Sequence, residues 1–274
     1  MNVIPLSPLD LTMAASLVLA LAFLSIRMHL SLSRQIIVAG LRTTVQLLLI
    51  GFVLTALFEH VHLGWVAGIA TVMFLVAGRE VMIRQGRRFA GLWGFGVGAF
   101  SMFVSSFSIT ILSLIVIIGT DPWYEPRYAI PLLGMMLGNT MTGISLALDR
   151  LTQTSWQQRM VIEARLMLGQ EWKEAIGDIQ RESIRGGLIP IINAMTVAGL
   201  VSLPGMMTGQ ILAGSPPLEA VKYQILIMFL ISSGTGFGTV SAVWLGSRHL
   251  FDERHRLRLD RLKMHGRSME KSRG

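Results

Sequence analysis

Seven long apolar runs, separated by short charged clusters, set the pattern of this chain. They extend from Leu11 to Ile26, Ile36 to Phe58, Leu63 to Gly78, Phe89 to Thr120, Tyr128 to Leu148, Gly186 to Pro217 and Tyr223 to Ser247. Only the second holds a charged residue, Arg42. A helix needs roughly 20 apolar residues to cross the hydrocarbon of a bilayer, so each run predicts one crossing. The first and third are short and must borrow flanking residues. The fourth and sixth, at 32 residues each, are too long for one straight crossing and too short for two, so they should overrun the bilayer, tilt or break. Helices this uncharged would have no polar face to show water, which argues against a soluble bundle. The fold expected is therefore all-α: a polytopic integral membrane protein of about seven transmembrane helices.

Composition agrees, with 52% hydrophobic and 15% charged residues. Charge placement then gives an orientation, because Lys and Arg are retained on the cytoplasmic side. The loops after the first, third and fifth runs and the segment from Arg248 together hold 21 of the 24 basic residues, whereas the other face has only Arg127 and Lys222. The amino end is thus expected outside and the carboxyl end in the cytoplasm. The net charge of +8 is accounted for by topology, so nucleic acid is not an expected partner; anionic lipid headgroups are. The first run has no basic leader and is flanked by Asp10 and Arg27, which reads as a retained span rather than a cleaved signal. Without cysteine there is no thiolate chemistry.

Residues 1–248 form the expected transmembrane domain, and 249–274 a basic cytoplasmic tail. Within the former, residues 149–185 are the one sizeable polar insert. It reads as two short helices divided by Gly169. In the second, Trp172, Ala175, Ile176, Ile179 and Ser183 recur at helical spacing, opposite Glu171, Lys173, Glu174, Asp178 and Arg181. Such a stripe must be covered by the chain's own spans, by lipid or by another protein. Its mixed-charge reverse face favours a soluble partner over a membrane surface.

Candidate pathway residues are few. Gln46, Asn139, Asn193 and Gln210 are polar positions inside runs, expensive in lipid and expected to face inward. Arg42 is expected to reach toward the cytoplasmic interface. Pro204-Gly205 should kink or break the sixth run, and irregular backbone at membrane depth is tolerated only against protein or a watery cavity. Met135, Met206 and Met207 offer soft sulfur near these positions, although methionine also fills helix contacts. No carboxylate falls within any of the seven runs, which weakens a dehydrated iron site. Glu59, His60 and His62 form either a solvated cap or a contact for a released cation. Gly94 and Gly98, Gly134 and Gly138, and Gly205, Gly209 and Ala213 have the four-residue spacing that lets helices approach closely, within a subunit or across a homodimer seam.

Glu163-Ala164-Arg165-Leu166-Met167-Leu168-Gly169 is similar to the start of the cytoplasmic loop of ABC-transporter permeases, with Ile179 at the expected distance but Arg181-Glu182 where that motif has Leu-Pro. Ile130 to Asn139, Arg181 to Arg185 and Val201 to Gly209 resemble the FetB-type iron-export permeases and the related plant aluminium-tolerance membrane half-transporters. The likeness covers roughly residues 36 to 247. It implies a permease subunit, a homodimer in the plasma (inner) membrane that exports iron or another metal-linked solute. ATP would be used by a separate cytoplasmic ATPase, since no G-x-x-x-x-G-K-[ST] loop occurs in the sequence; no cofactor is expected on the chain itself. The implied ATPase-coupling residues are Glu163, Ala164, Gly169, Trp172, Ile176 and Ile179, with Trp172 and Ile176 as anchors. Export of an organic solute such as a sugar nucleotide, or a non-transporting scaffold that recruits a cytoplasmic protein, are the other readings the sequence leaves open. No H-E-x-x-H motif or intramembrane acid pair points to an enzyme.

Overall fold

A computed structural model describes residues 7–59 and 61–264; His60 and the last ten positions of the basic tail lie outside the described residues. The fold is helical. Helices α1 (Pro8–Arg27), α2 (Ser33–Glu59), α3 (Leu63–Ile83) and α4 (Leu92–Met102) come first. Short α5 (Ser108–Leu112) leads to α6 (Pro126–Gln157), and α7 (Arg159–Met167) and α8 (Trp172–Ala175) build the insert. The chain closes with α9 (Gly177–Val197), α10 (Gly205–Leu212) and α11 (Pro217–His249). Two three-residue strands, β1 (Arg87–Phe89) and β2 (Leu262–Met264), pair antiparallel.

Among the described residues six helical segments are long and apolar enough to cross a membrane: α1, α2, α3, the run from Leu92 to Ile118, α6 and α11. The seventh expected span, Gly186 to Pro217, is not a single helix. Helix α9 starts far back in the polar insert, carrying Asp178, Arg181, Glu182 and Arg185 into its first turns, and ends at Val197. Gly199 then takes a left-handed turn (φ +83°), and α10 restarts with Pro204 at its N-cap. The proline that cannot continue a helix is well placed to begin one. The fourth run solves its excess length differently. It stays one helix but winds as π-helix over Phe103–Phe107 and Ser113–Ile118, which packs more residues into each turn.

Helix α6 is the hub, packed against α3, α9 and α11. The approach is closest at Gly143 of α6 and Gly187 of α9, where side chains at either position would strike the opposite backbone. Two apolar clusters extend from this level. One includes Leu114, Ile130, Met136, Ile227 and Ile231; the other includes Val81, Phe89, Ile144, Leu148, Ile176 and Phe251 and lies toward the end bearing Arg84, Arg87, Arg150 and Arg159, here called the basic end. Of the glycine pairs singled out by spacing, Gly94 and Gly98 are used inside the chain, packed on the Phe89 carbonyl and on Val81. Gly138, Gly205 and Gly209 face open space. Helices α1 and α2 pair with each other and touch the bundle sparingly.

The basic end is tied together by polar contacts. The Gly86 N–H donates to Asp149 Oδ1 at 2.7 Å, Gln153 Nε2 donates to the same carboxylate at 2.8 Å, and the Thr152 hydroxyl donates to the Arg87 carbonyl at 2.8 Å. A partly buried hydrogen bond to a charged group contributes about 1.5–3 kcal/mol. Asp149→Ala is therefore expected to lower stability by about 2 kcal/mol, read by thermal unfolding of the purified chain; no change would mean that the α3–α4 turn is held by β1 pairing alone.

The described part of the tail folds back beneath the bundle. Phe251 is buried and its ring lies 5.7 Å from that of Trp172. The Ala90 N–H donates to the Arg261 carbonyl at 2.7 Å, and β2 then runs beside β1 with Phe89 opposite Leu262. Arg258 grips Asp260 through two hydrogen bonds, 2.9 and 2.8 Å, which hold that carboxyl down at about 2.

Candidate functional site

The insert leaves the bundle at the end of α6 and returns along α9. Its stripe is covered within the chain: Ala175, Ile176 and Ile179 are buried, joined by Ile162 of α7 and by Phe251 and Leu257 of the tail, with Trp172 partly covered by the same residues. Ile176, read from sequence as an anchor for a partner, has no exposed surface. The apolar surface left open lies elsewhere. Met160, Ala164, Met167 and Leu168 share one face of α7 at helical spacing, and Met167 and Leu168 are 83% and 85% exposed. Glu163 is exposed on the same helix. Gly169, at φ +88°, makes the left-handed turn that ends this helix and presents the pair at a protruding corner. The motif and its glycine are legible in the sequence, whereas the structure leaves Met167 and Leu168 exposed and covers Ile176 and Ile179 within the chain. A stripe that repeats along a helix signals cover of any kind, and only the fold shows that the tail supplies it.

The corner is rigidly mounted. Arg165 donates to the Ala175 carbonyl and to Asp178 at 3.2 Å each, and Arg181 pairs with Asp178 at 2.6 Å. Together these hold the Asp178 carboxyl below the usual carboxylate range, Arg181 contributing most. From Asp178 the same helix runs on to Val197, with Pro190 inside it, so the corner is braced on a helix that enters the bundle.

The pathway candidates fall in three places rather than one. Asn139 of α6 and Asn193 of α9 are both exposed, on two helices that Arg150 and Glu182 join at 2.8 Å. Asn139 donates back to the Met135 carbonyl at 2.8 Å, leaving its amide oxygen outward. On α10, Met207 is buried and Met206 packs on the cluster that includes Leu114 and Ile130, both beside the break; Pro204 and Gly205 begin the helix and Gln210 is half-buried.

Gln46 lies in the third place, a cleft of about 990 Å³ between α2, α3 and α6. It also contains a residue that the apolar runs concealed. The third run ends at Gly78, but α3 continues through Arg79 and Glu80 to Ile83, because Arg and Glu are good helix formers. Glu80 thus lines the cleft, 2.8 Å from Arg42 and 3.8 Å from Arg84. The expectation of spans without a carboxylate is corrected here. Arg42 finds this acid across the cleft. The bundle also buries hydroxyls that the sequence reading passed over, among them Ser106, Thr110, Ser113, Thr140, Thr235 and Thr239, which have no hydrogen-bond partner among the described residues. Their signal was visible as Ser and Thr at helical spacing, but small polar residues in spans are also ordinary packing residues. His62 is a cap, its Nδ1 accepting from the Gly64 N–H at 3.1 Å. Among the described residues no group of three acidic or histidine side chains is placed to hold a metal ion.

Comparison with known proteins agrees with this picture of a multi-pass membrane protein. A UPF0014 membrane protein of Synechocystis is 40% identical over 234 residues, covering 83% of this chain and 87% of its own. The probable iron export permease protein FetB of Escherichia coli is 31% identical over 254 residues, 93% and 96% of the two chains. The protein ALUMINUM SENSITIVE 3 of Arabidopsis thaliana is 31% identical over 251 residues, 89% and 88% of the two chains. No solved structure matches the chain. The model of the uncharacterised protein family UPF0014 matches residues 8–251, from the first turn of α1 to the tail residue that stacks on Trp172; the chain belongs to this family.

Proposed function

We propose that the chain is the membrane-spanning subunit of an ABC-type transporter, driven by a separate cytoplasmic ATPase and exporting iron or another metal-linked solute across the plasma membrane. The observation that carries the reading is the exposed corner of Met167, Leu168 and Gly169, an apolar knob on a braced support whose shaft is a bundle helix. A soluble subunit that grips such a knob can move α9 against α6 and α11, which is the requirement for coupling nucleotide chemistry to a membrane path. The name of the Escherichia coli relative supports the cargo and the direction. The basic end would face the cytoplasm, as its arginines suggest, and α9 with α10 would complete a broken seventh crossing.

The exposed Asn139 and Asn193 favour a homodimer over a monomer in lipid. Amide side chains facing hydrocarbon are costly, and a second copy set against the α6–α9 face, or water between the copies, would satisfy them. Ile176, Ile179 and Trp172 then act by stiffening the insert, while Glu163, Ala164, Met167 and Leu168 meet the partner.

The test replaces both exposed residues, Met167→Asp with Leu168→Asp, in the chain co-purified with its ATPase. Association should weaken at least tenfold while the thermal unfolding of the chain stays unchanged, since neither side chain touches the core. Undiminished assembly and unaltered ATP turnover would remove the coupling role.

A further inference from the structure

The cleft beside Arg42 is unlike the rest of the membrane-embedded surface. Along α2, Gln35, Arg42, Thr43 and Gln46 form a polar face that climbs from the basic end, with Arg34 at its foot and Ser31 just before the helix. Arg42 stands eight residues above Arg34, about 12 Å deeper. Opposite are Glu80 and Arg84 of α3 near the mouth, then Val72 and Met73 higher up beside Gly134 and Leu137 of α6. The lining thus has a charged mouth and an apolar interior. Three guanidinium groups face a single carboxylate, and Glu80 is already shared between Arg42 and Arg84. An excess of two positive charges along a partly enclosed cleft attracts an anion more strongly than the same charges dispersed over a surface would.

The geometry points to an oxyanion site, in which a phosphate-type group binds between Arg34, Arg42 and Arg84 and the remainder of the ligand lies along Val72, Met73 and Leu137. Guanidinium groups present paired N–H donors matched to phosphate oxygens, and Arg42 and Arg84, which meet at Glu80, suit such a head, with Arg34 lining the same cleft. Thr43, Gln35 and Gln46 add neutral donors. A naked metal cation finds the opposite conditions: repulsion from the arginines and one acid that is already engaged. The cavity is large enough for a phosphorylated solute or for a lipid headgroup with the start of its chains. The assignment stands on the cleft itself. Its meaning for cargo, that the solute enters as an anion or an anionic complex, rests on the transport reading above.

Glu80 gives the proposal its directional test. As the acid that competes for Arg42, it should weaken anion binding, so its neutralisation should strengthen it. The full-length chain is placed in nanodiscs of phosphatidylcholine alone, and its thermal unfolding is followed during titration with sodium pyrophosphate, with potassium chloride at matched ionic strength as the control. A parallel series replaces part of the lipid with phosphatidylglycerol. Stabilisation by pyrophosphate identifies a free phosphate ligand, and stabilisation only by phosphatidylglycerol identifies a lipid headgroup. In either case Arg42→Gln should reduce apparent affinity about tenfold, Arg42→Lys less, and Glu80→Gln should raise it severalfold. The proposal is overturned if neither anion stabilises the protein beyond the chloride control, or if Arg42→Gln and Glu80→Gln shift binding in the same direction. These measurements need no ATPase, so loss of the anion site and loss of the Met167–Leu168 contact are separately visible.

Discussion

Replacing Gly187 with valine is expected to destabilise the chain by about 3 kcal/mol, the upper end of the usual cost of overpacking. A Cβ at this position would lie 2.6 Å from the Gly143 carbonyl oxygen, 2.8 Å from Thr239 Cγ2 and 2.9 Å from Ala147 Cβ. The first of these is backbone, so no rotamer change can relieve it; α6 and α9 must part. The converse substitution, Gly143→Val, meets Thr235, Thr239 and the Gly187 carbonyl and should behave alike. In lipid, helices associate through close contact rather than through a hydrophobic force, so a gap opened here is not compensated elsewhere. Thermal unfolding in detergent measures the effect, with Gly68→Val, which meets nothing within 4 Å, as the control. Equal unfolding temperatures for Gly187→Val and the control would contradict the three-helix contact.

Ile176→Asp should dismantle the insert while leaving the membrane bundle intact. Ile176 is fully buried among Ala175, Ile162 and Phe251, and an unpaired carboxylate in such a place costs several kcal/mol. The insert should then separate from the tail, exposing Arg165, Lys173 and Arg181 to trypsin. Limited proteolysis in nanodiscs should show rapid cleavage between residues 160 and 185, whereas the Met167→Asp, Leu168→Asp double variant should keep the pattern of the unaltered chain. Identical patterns for the two would mean that the stripe does not support the corner.

Most of the architecture was legible because lipid leaves so few options. Apolar runs located each of the six long apolar helices found among the described residues, and the proline before Gly205 marked where the sixth run is divided. What eluded hydropathy was where helices continue past their apolar part. Arg79 and Glu80 look like a loop when charge is the only guide, yet backbone bonding carries α3 through them and delivers the acid that meets Arg42. In the same way α9 extends back to Gly177 through charged turns, so insert and span are one helix.

The candidate site was legible in part for a different reason. Gly169 could be picked out because a left-handed turn after a helix leaves a local mark, and the Glu163–Ala164 pair because it is similar to the loop motif of ABC-transporter permeases. Which apolar residues remain exposed depends on contacts made across nearly eighty positions, such as Trp172 with Phe251, and no local pattern encodes them. Asn139 and Asn193 could be named one by one as costly in lipid, but that their helices pack together, closely at Gly143 and Gly187, emerges only from the fold. Gln46 was chosen as a pathway residue and does line a cleft, whereas Met206 and Met207 lie apart from it on α10.

Strand β2 closes on a partner that leaves the ribosome some 170 residues earlier. The membrane helices can therefore all be threaded into the bilayer while the underside is still unfinished. The brace beneath Trp172 and Ile176 arrives last, so the insert of a nascent chain lacks its full support until synthesis has passed the tail, after every long apolar helix has been made.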